Sequence, residues 1–108
     1  MKFSVASNDL LKQLQIVGGV ISSNPVIPIL EDFLFILNDN QLQITATDTN
    51  TSITSVLTVM MEESGSVAIP AKILLETLKG LPAQPIFFNI DTEVMSVEIT
   101  SSYGKYRL

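Results

Sequence analysis

Shifted by 64 positions, the sequence lays Phe3, Val5, Leu10, Leu11, Leu14 and Val17 on Val67, Ile69, Leu74, Leu75, Leu78 and Leu81. Further along the offset is 53, and Phe35, Leu37, Leu42, Ile44 and Ala46 fall on Phe88, Ile90, Met95, Val97 and Ile99. The change of offset puts 11 extra residues into one loop of the first half, Gly19 to Ile29, where the second half has only the link from Leu81 to Pro85. A unit written twice constrains the fold more than any single motif, because whatever the first half builds the second builds again. Symmetric parts of this kind make surfaces, rings or arrays.

The apolar residues alternate or recur at helical spacing, so each half reads strand, helix, strand, strand, strand. Lys2 to Ala6 is the first strand; Ser7 or Asn8 caps the helix that follows, and Asp9 sits in its favourable first turn. Leu10, Leu11, Leu14 and Val17 form the buried stripe of that helix, and Gly18-Gly19 is expected to end it. Pro25 and Pro28 exclude a regular helix between Val20 and Asp32 and predict an extended, tethered loop. Phe33 to Leu37 and Gln41 to Thr47 are strands joined by Asn38-Asp39-Asn40, residues that tolerate left-handed turn geometry. A third strand runs from about Thr51 to Val59. In the second half Ser66 to Ile69 is a strand, Pro70 stands at the helix start and Ala71 to Lys79 is the helix, closed by Gly80. Ile86 to Ile90, Val94 to Thr100 and Tyr103 to Leu108 complete the second trio. The fold class is therefore α+β, an internally duplicated β-α-β-β-β unit with repeats 1–61 and 62–108 and two helices packed on antiparallel sheet. Sheet edges are left over, and such edges are either protected or used for pairing with another subunit.

A chain of 108 residues makes one domain and buries roughly 60 to 70% of its extended surface. No apolar run is long enough for a membrane span, and with the alternation beginning at Phe3 no signal peptide is expected. With no cysteine there is no disulfide framework, and a cytoplasmic setting is expected. The chain stops inside or just after a strand, at Tyr106-Arg107-Leu108, an ending expected of a piece of something longer.

A net charge of −5 argues against a freestanding nucleic-acid binder, which carries a basic excess to neutralise phosphates. The charge is not evenly spread. Lys12, Lys72 and Lys79 lie in the two helices, opposed there only by Asp9 and Glu76, so the helices carry about +1 and the remainder about −6. That split gives either one weakly basic face or ordinary solvated helix surfaces.

Catalytic chemistry has little to work with. The absence of histidine and cysteine removes His-dependent triads, thiol nucleophiles and ordinary zinc sites together. The neighbouring carboxylates Glu31-Asp32 and Glu62-Glu63 read as solvated charges in or beside loops. Asp48-Thr49-Asn50 resembles the opening of a calcium loop, but the glycine and distal glutamate are missing, and a turn is the better account. Gly18-Gly19 belongs to no phosphate-loop pattern, and without secretion, which is not expected here, Asn50-Thr51-Ser52 matches a glycosylation sequon only by chance. No catalytic residue, metal ligand or cofactor site is expected.

The opening Met1-Lys2-Phe3, the helix Leu10-Leu11-Lys12-x-Leu14 and the loop Pro25-x-x-Pro28-Ile29-Leu30 occur in an order and spacing that resemble the amino-terminal domain of the bacterial DNA polymerase III beta subunit family, the sliding clamps. Thr45-Ala46-Thr47-Asp48, Val67-Ala68-Ile69-Pro70-Ala71-Lys72 and Leu78-Lys79-Gly80-Leu81-Pro82 extend the resemblance over positions 1 to 108. It implies the DNA-clamp fold and a non-catalytic processivity factor. Three such domains make a subunit, and two subunits close head to tail into a ring around duplex DNA, helices lining the hole. Phosphate contacts alone make such a ring indifferent to sequence and its hold on DNA weak and salt-labile.

By motif position, the resemblance implies DNA contacts from Lys72 and Lys79 first and Lys12 next. Asn24, just before Pro25, occupies a loop position where some relatives carry an arginine that touches DNA; it keeps a polar group without the charge. The last strand, with Tyr103, Lys105, Tyr106 and Arg107, matches the edge that pairs with the other subunit. There Tyr106 would be the anchor and Lys105 and Arg107 the ion-pair partners; the alternative for Tyr106 is a plain sheet residue half covered by its neighbours. The replicative polymerase and the clamp loader would bind later domains, so these 108 residues alone are expected neither to encircle DNA nor to capture partner peptides. Without the resemblance, the residues support only a duplicated edge-pairing scaffold with no DNA role. Convergence of Lys12, Lys72 and Lys79 on one face would separate the two.

Overall fold

The computed structural model describes residues 1–21, 32–47 and 52–108. In chain order it contains β1 (Lys2–Ala6), α1 (Ser7–Ile21), β2 (Asp32–Asn38), β3 (Gln41–Thr47), β4 (Ser52–Thr58), β5 (Met60–Glu63), β6 (Gly65–Pro70), α2 (Ala71–Lys79), β7 (Pro85–Asp91), β8 (Ser96–Ser101) and β9 (Gly104–Arg107). The strands form two antiparallel sheets, β5-β1-β7-β8-β9 and β4-β3-β2-β6. Each half gives its first strand to the other half's sheet, β1 lying with β7, β8 and β9 and β6 with β2, β3 and β4, while β5 spans the boundary between the halves. β1 pairs with β7, Phe3 opposite Phe88, and β6 pairs with β2, Val67 opposite Phe35. Neither half can complete a sheet without its counterpart, so the duplicated chain closes into one core.

That core is built by alternation. Phe33, Phe35 and Leu37 on β2, Leu42, Ile44 and Ala46 on β3, Ile86, Phe88 and Ile90 on β7, and Val97 and Ile99 on β8 are all buried, with their sequence neighbours turned outward. Phe3, Phe35 and Phe88 meet at its centre, with ring centroids 4.7 to 6.5 Å apart. Against the sheets lie the helical stripes Leu10, Leu14, Val17 and Ala71, Leu74, Leu78. Each buried leucine contributes about 1.5–3 kcal/mol of transfer free energy. α1 packs on β1, β3 and β4, α2 on β2 and β6, and the helices touch each other.

Four expectations need correction. α1 runs through Gly18-Gly19 to Ile21, so the glycines lower helix propensity there without stopping the helix. Ser7 is no cap: buried, it bonds instead to the second half's link. Its N–H donates to the Gln84 carbonyl at 2.8 Å, its Oγ donates to the Pro82 carbonyl at 3.1 Å, and the same Oγ accepts from the Gln84 N–H at 3.1 Å. β4 ends at Thr58, one residue short of the expected Val59, and after buried Val59 the chain crosses to the other sheet and adds β5 beside β1. Asn40 steers that crossing, its carbonyl accepting the Val59 N–H at 2.9 Å and its Oδ1 the Met61 N–H at 3.0 Å. Glu62 and Glu63 therefore sit on a strand, not in a loop.

The fourth concerns the repeat. Asp39 and Asn40, at φ 50° and 59°, make the two-residue turn expected between β2 and β3. Between β7 and β8 the turn is longer, Thr92 to Met95, with Asp91 Oδ1 accepting the N–H groups of Glu93 at 3.0 Å and Val94 at 3.4 Å. Val94 and Met95 are consequently not on a strand. Ile90 faces Val97 as Leu37 faces Leu42, so the true counterparts of Leu42 and Ile44 are Val97 and Ile99, two residues beyond those an offset of 53 selects.

Candidate functional site

The helices present similar outward ridges. On α1, Asn8, Asp9, Lys12, Gln15 and Ile16 are exposed; on α2, Lys72, Ile73, Glu76 and Lys79 are. At 100° per residue, Asn8, Lys12 and Gln15 share one line, as do Lys72, Glu76 and Lys79. The offset of 64 matches these position for position, so α1 reads Asn-Lys-Gln where α2 reads Lys-Glu-Lys. All three helix lysines thus stand on faces turned away from the sheets, carried by two helices in contact. Asn24 and its proline loop lie outside the described residues, as do Glu31 and Asp48.

The last strand divides the other four candidates. Tyr103 is in the turn between β8 and β9, not on the edge strand: 71% exposed, its N–H donating to Ser101 Oγ at 3.1 Å. Gly104, at φ 143°, lets the chain re-enter the sheet. Tyr106 lies opposite Ile99 and packs half-buried against the core. Lys105 and Arg107 point to the opposite, outer face, where both reach Glu98 on β8. Lys105 Nζ is 3.7 Å from Glu98 Oε1 and Arg107 Nε is 3.6 Å from Glu98 Oε2. Glu98 had carried no signal in the sequence; the strand register is what makes it a neighbour of both cations.

Carboxylates elsewhere are structurally engaged. A groove of about 440 Å³ beside Met1 gathers Glu63, Asp91 and Glu93. Within it the Met1 ammonium donates to Glu63 Oε1 at 2.7 Å, which holds the Glu63 carboxyl below its ordinary range, while Asp91 is occupied by its turn. Among the described residues no cluster of three metal-ligating side chains occurs, no buried side-chain polar atom lacks a partner, and no helix is long and apolar enough to cross a membrane. What the surface offers is cationic side chains on exposed helix ridges and backbone groups on strand edges, means of binding by charge and by sheet extension.

The model for the DNA polymerase III beta subunit, N-terminal domain, matches residues 1–105. The beta sliding clamp of Vibrio harveyi is 33% identical across all of this chain and 74% of its own length. That of Vibrio cholerae is 32% identical across all of this chain and 30% of its own length, and that of Escherichia coli K12 36% identical over 76% of this chain and 23% of its own. Among solved structures, the Caulobacter crescentus pol III beta superposes with a TM-score of 0.84 at 25% identity, covering all of this chain and 30% of that one. A sliding clamp from Bartonella birtlesii gives 0.84 at 27% identity, covering all of this chain and 29% of that one. The two helices and paired antiparallel sheets are those of the clamp fold, and the chain spans 30% or less of most of these relatives.

Proposed function

The chain belongs to the family of the DNA polymerase III beta subunit, in its N-terminal domain, and we propose that it is the first of three domains of a sliding clamp, built from repeats 1–61 and 62–108. Two full-length subunits would close head to tail around duplex DNA, making the replicative polymerase processive without catalysing any step and without a cofactor. Later domains would receive the polymerase and the clamp loader, and the protein would work in the cytoplasm.

The observation that supports this best is the placement of Lys12, Lys72 and Lys79 on the outward ridges of two touching helices. Three cations opposed by Asp9 and Glu76 attract phosphates only weakly. Each phosphate contact adds about −0.9 to the slope of log affinity against log salt, and none reads a base. Weak, sequence-indifferent attraction keeps DNA centred and lets it slide, while topology supplies the hold. The edge strand β9, with Tyr106, Lys105 and Arg107 and with Tyr103 at its turn, would join one subunit to the next. Asn24 would contribute a polar contact to DNA.

The test loads the full-length protein on nicked circular DNA and washes in high salt. Retention on the circle, with release on linearisation, is the expected result. Loss from both forms in salt would mean ordinary electrostatic binding, and no binding despite an active loader would favour a scaffold without a DNA role.

A further inference from the structure

A side chain from outside the last hairpin holds the hairpin's turn. Gln84, in the link between α2 and β7, donates from Nε2 to the Pro82 carbonyl at 3.1 Å and accepts the Ser102 N–H on Oε1 at 2.7 Å. Its backbone is anchored by Ser7, so this amide is aimed from a fixed position. The other side-chain bonds of the turn are its own: Ser101 Oγ accepts the Tyr103 N–H and donates to the Gly104 carbonyl at 3.2 Å. The turn carries Tyr103, whose ring is the only exposed aromatic among the described residues. β9, which follows, is four residues long and is paired on one side only, with β8, and short edge elements of this kind fray from their ends.

We propose that Gln84 is a positioning residue for subunit pairing: by fixing the β8–β9 turn it presents Tyr103 and the first residues of β9 in the arrangement that a partner strand can join. This rests on the reading of β9 as a subunit contact. An edge that is competent for only part of the time binds its partner with an apparent dissociation constant raised in proportion to the time lost. Gln84 keeps the competent fraction high. The partner then does not have to order the turn as it binds, which is the cost of joining a mobile edge. Neither Tyr103 nor β9 touches Gln84 through a side chain, so the residue acts through the Ser102 amide alone. The link that carries Gln84 also holds the start of α1, and edge strand and helix layer are thereby tied together at this residue.

The test measures the dimer dissociation constant of the full-length protein by energy transfer between labelled subunits, together with hydrogen exchange at Ser102. Gln84→Ala should raise the constant about fivefold, the effect of one lost hydrogen bond on the competent fraction, and should speed exchange at Ser102. Gln84→Glu keeps an acceptor for the Ser102 N–H and gives up the donor to Pro82, and should bring both readings back toward the parent. Dimers of Gln84→Glu as weak as those of Gln84→Ala would mean that the residue only stiffens the link, and the proposal would fail. An unchanged constant in Gln84→Ala would overturn it as well. A companion variant, Lys105→Glu with Arg107→Glu, separates the two levels. If it weakens the dimer while Gln84→Ala does not, β9 is the contact and Gln84 has no part in presenting it; if neither changes the constant, β9 is not the contact and the underlying reading fails.

Discussion

Phe3 and Phe88 stack face to face, ring centroids 4.7 Å apart and planes within 6°. One comes from the first strand of the first half, the other from the second strand of the second half, and both are fully buried. The stack is where the exchange of strands between halves becomes a packing contact. Removing one ring opens a cavity that both sheets line. Phe88→Ala should cost about 3–5 kcal/mol, a large part of the stability of a small domain, and Phe88→Leu about 1.5 kcal/mol. Urea unfolding followed by circular dichroism measures both, and equal midpoints for the leucine variant and the parent would show that the stack is dispensable.

Ser7 joins the start of α1 to the link between α2 and β7 through three hydrogen bonds. Ser7→Ala removes two of them and leaves the Gln84 N–H without its acceptor, at a cost of about 1–3 kcal/mol. The loss should be visible in hydrogen exchange as faster exchange at Gln84. Protection there equal to that of the parent would mean that water replaces the hydroxyl at no cost.

Glu63 titrates below its ordinary range chiefly because the Met1 ammonium donates a hydrogen bond to it, with the charge of that ammonium adding and Lys2 contributing least. A carboxylate with a depressed folded-state pKa binds fewer protons folded than unfolded, so stability rises with pH between the two values. The contribution is complete above the unfolded value and is lost as pH falls through the folded one. Glu63→Gln should flatten that acid segment of the stability profile. Parallel profiles for variant and parent would remove Glu63 from the account.

How far the sequence carries is clearest at Leu42. Its true counterpart is Val97, but an alternating strand moved by two residues keeps every apolar side chain on the same face, so the pattern matched Met95 just as well. Periodicity detects a strand and is blind to even register errors. Helical stripes suffer less, and α2 was legible to the residue, from Pro70 at its start to Lys79. The crossing at Val59 left no trace, because β5 continues β4 after one residue and only tertiary pairing separates them. The exchange of first strands was equally hidden, since alternation says which face is buried and not which strand lies alongside. At the site, helical period alone put Lys72 and Lys79 on one face. The tie of Lys105 and Arg107 to Glu98 required the β8–β9 register.

Glu76 lies between Lys72 and Lys79 on the outward line of α2, where α1 has Lys12. If that ridge faces phosphates, Glu76 weakens the attraction and the lysines supply it. Glu76→Lys in the full-length protein should tighten duplex binding and steepen its salt dependence by about one contact. Lys72→Glu with Lys79→Glu should remove about two and shorten synthesis on long templates. Anisotropy titrations over a salt series read the slopes. If both variants share the parent's slope, α2 does not face DNA.

Met95 adopts a left-handed backbone, φ 54°, at the last position of the β7–β8 turn, and its side chain is 57% exposed. Asn40 occupies the corresponding place in the other hairpin at nearly the same φ, 59°, and asparagine tolerates that region far better than an unbranched apolar residue. The turn therefore carries backbone strain that its side chain, half in water, does little to offset. Met95→Asn should relieve part of it and stabilise the domain by about 0.5–1 kcal/mol, and Met95→Gly by a similar or smaller amount because glycine gains freedom in the unfolded chain. Thermal unfolding of the two variants beside the parent measures the gain. A loss in both would mean that Met95 packs against the turn strongly enough to outweigh the strain, whereas a gain would place this hairpin among the sites where the duplicated halves have diverged at the expense of local stability.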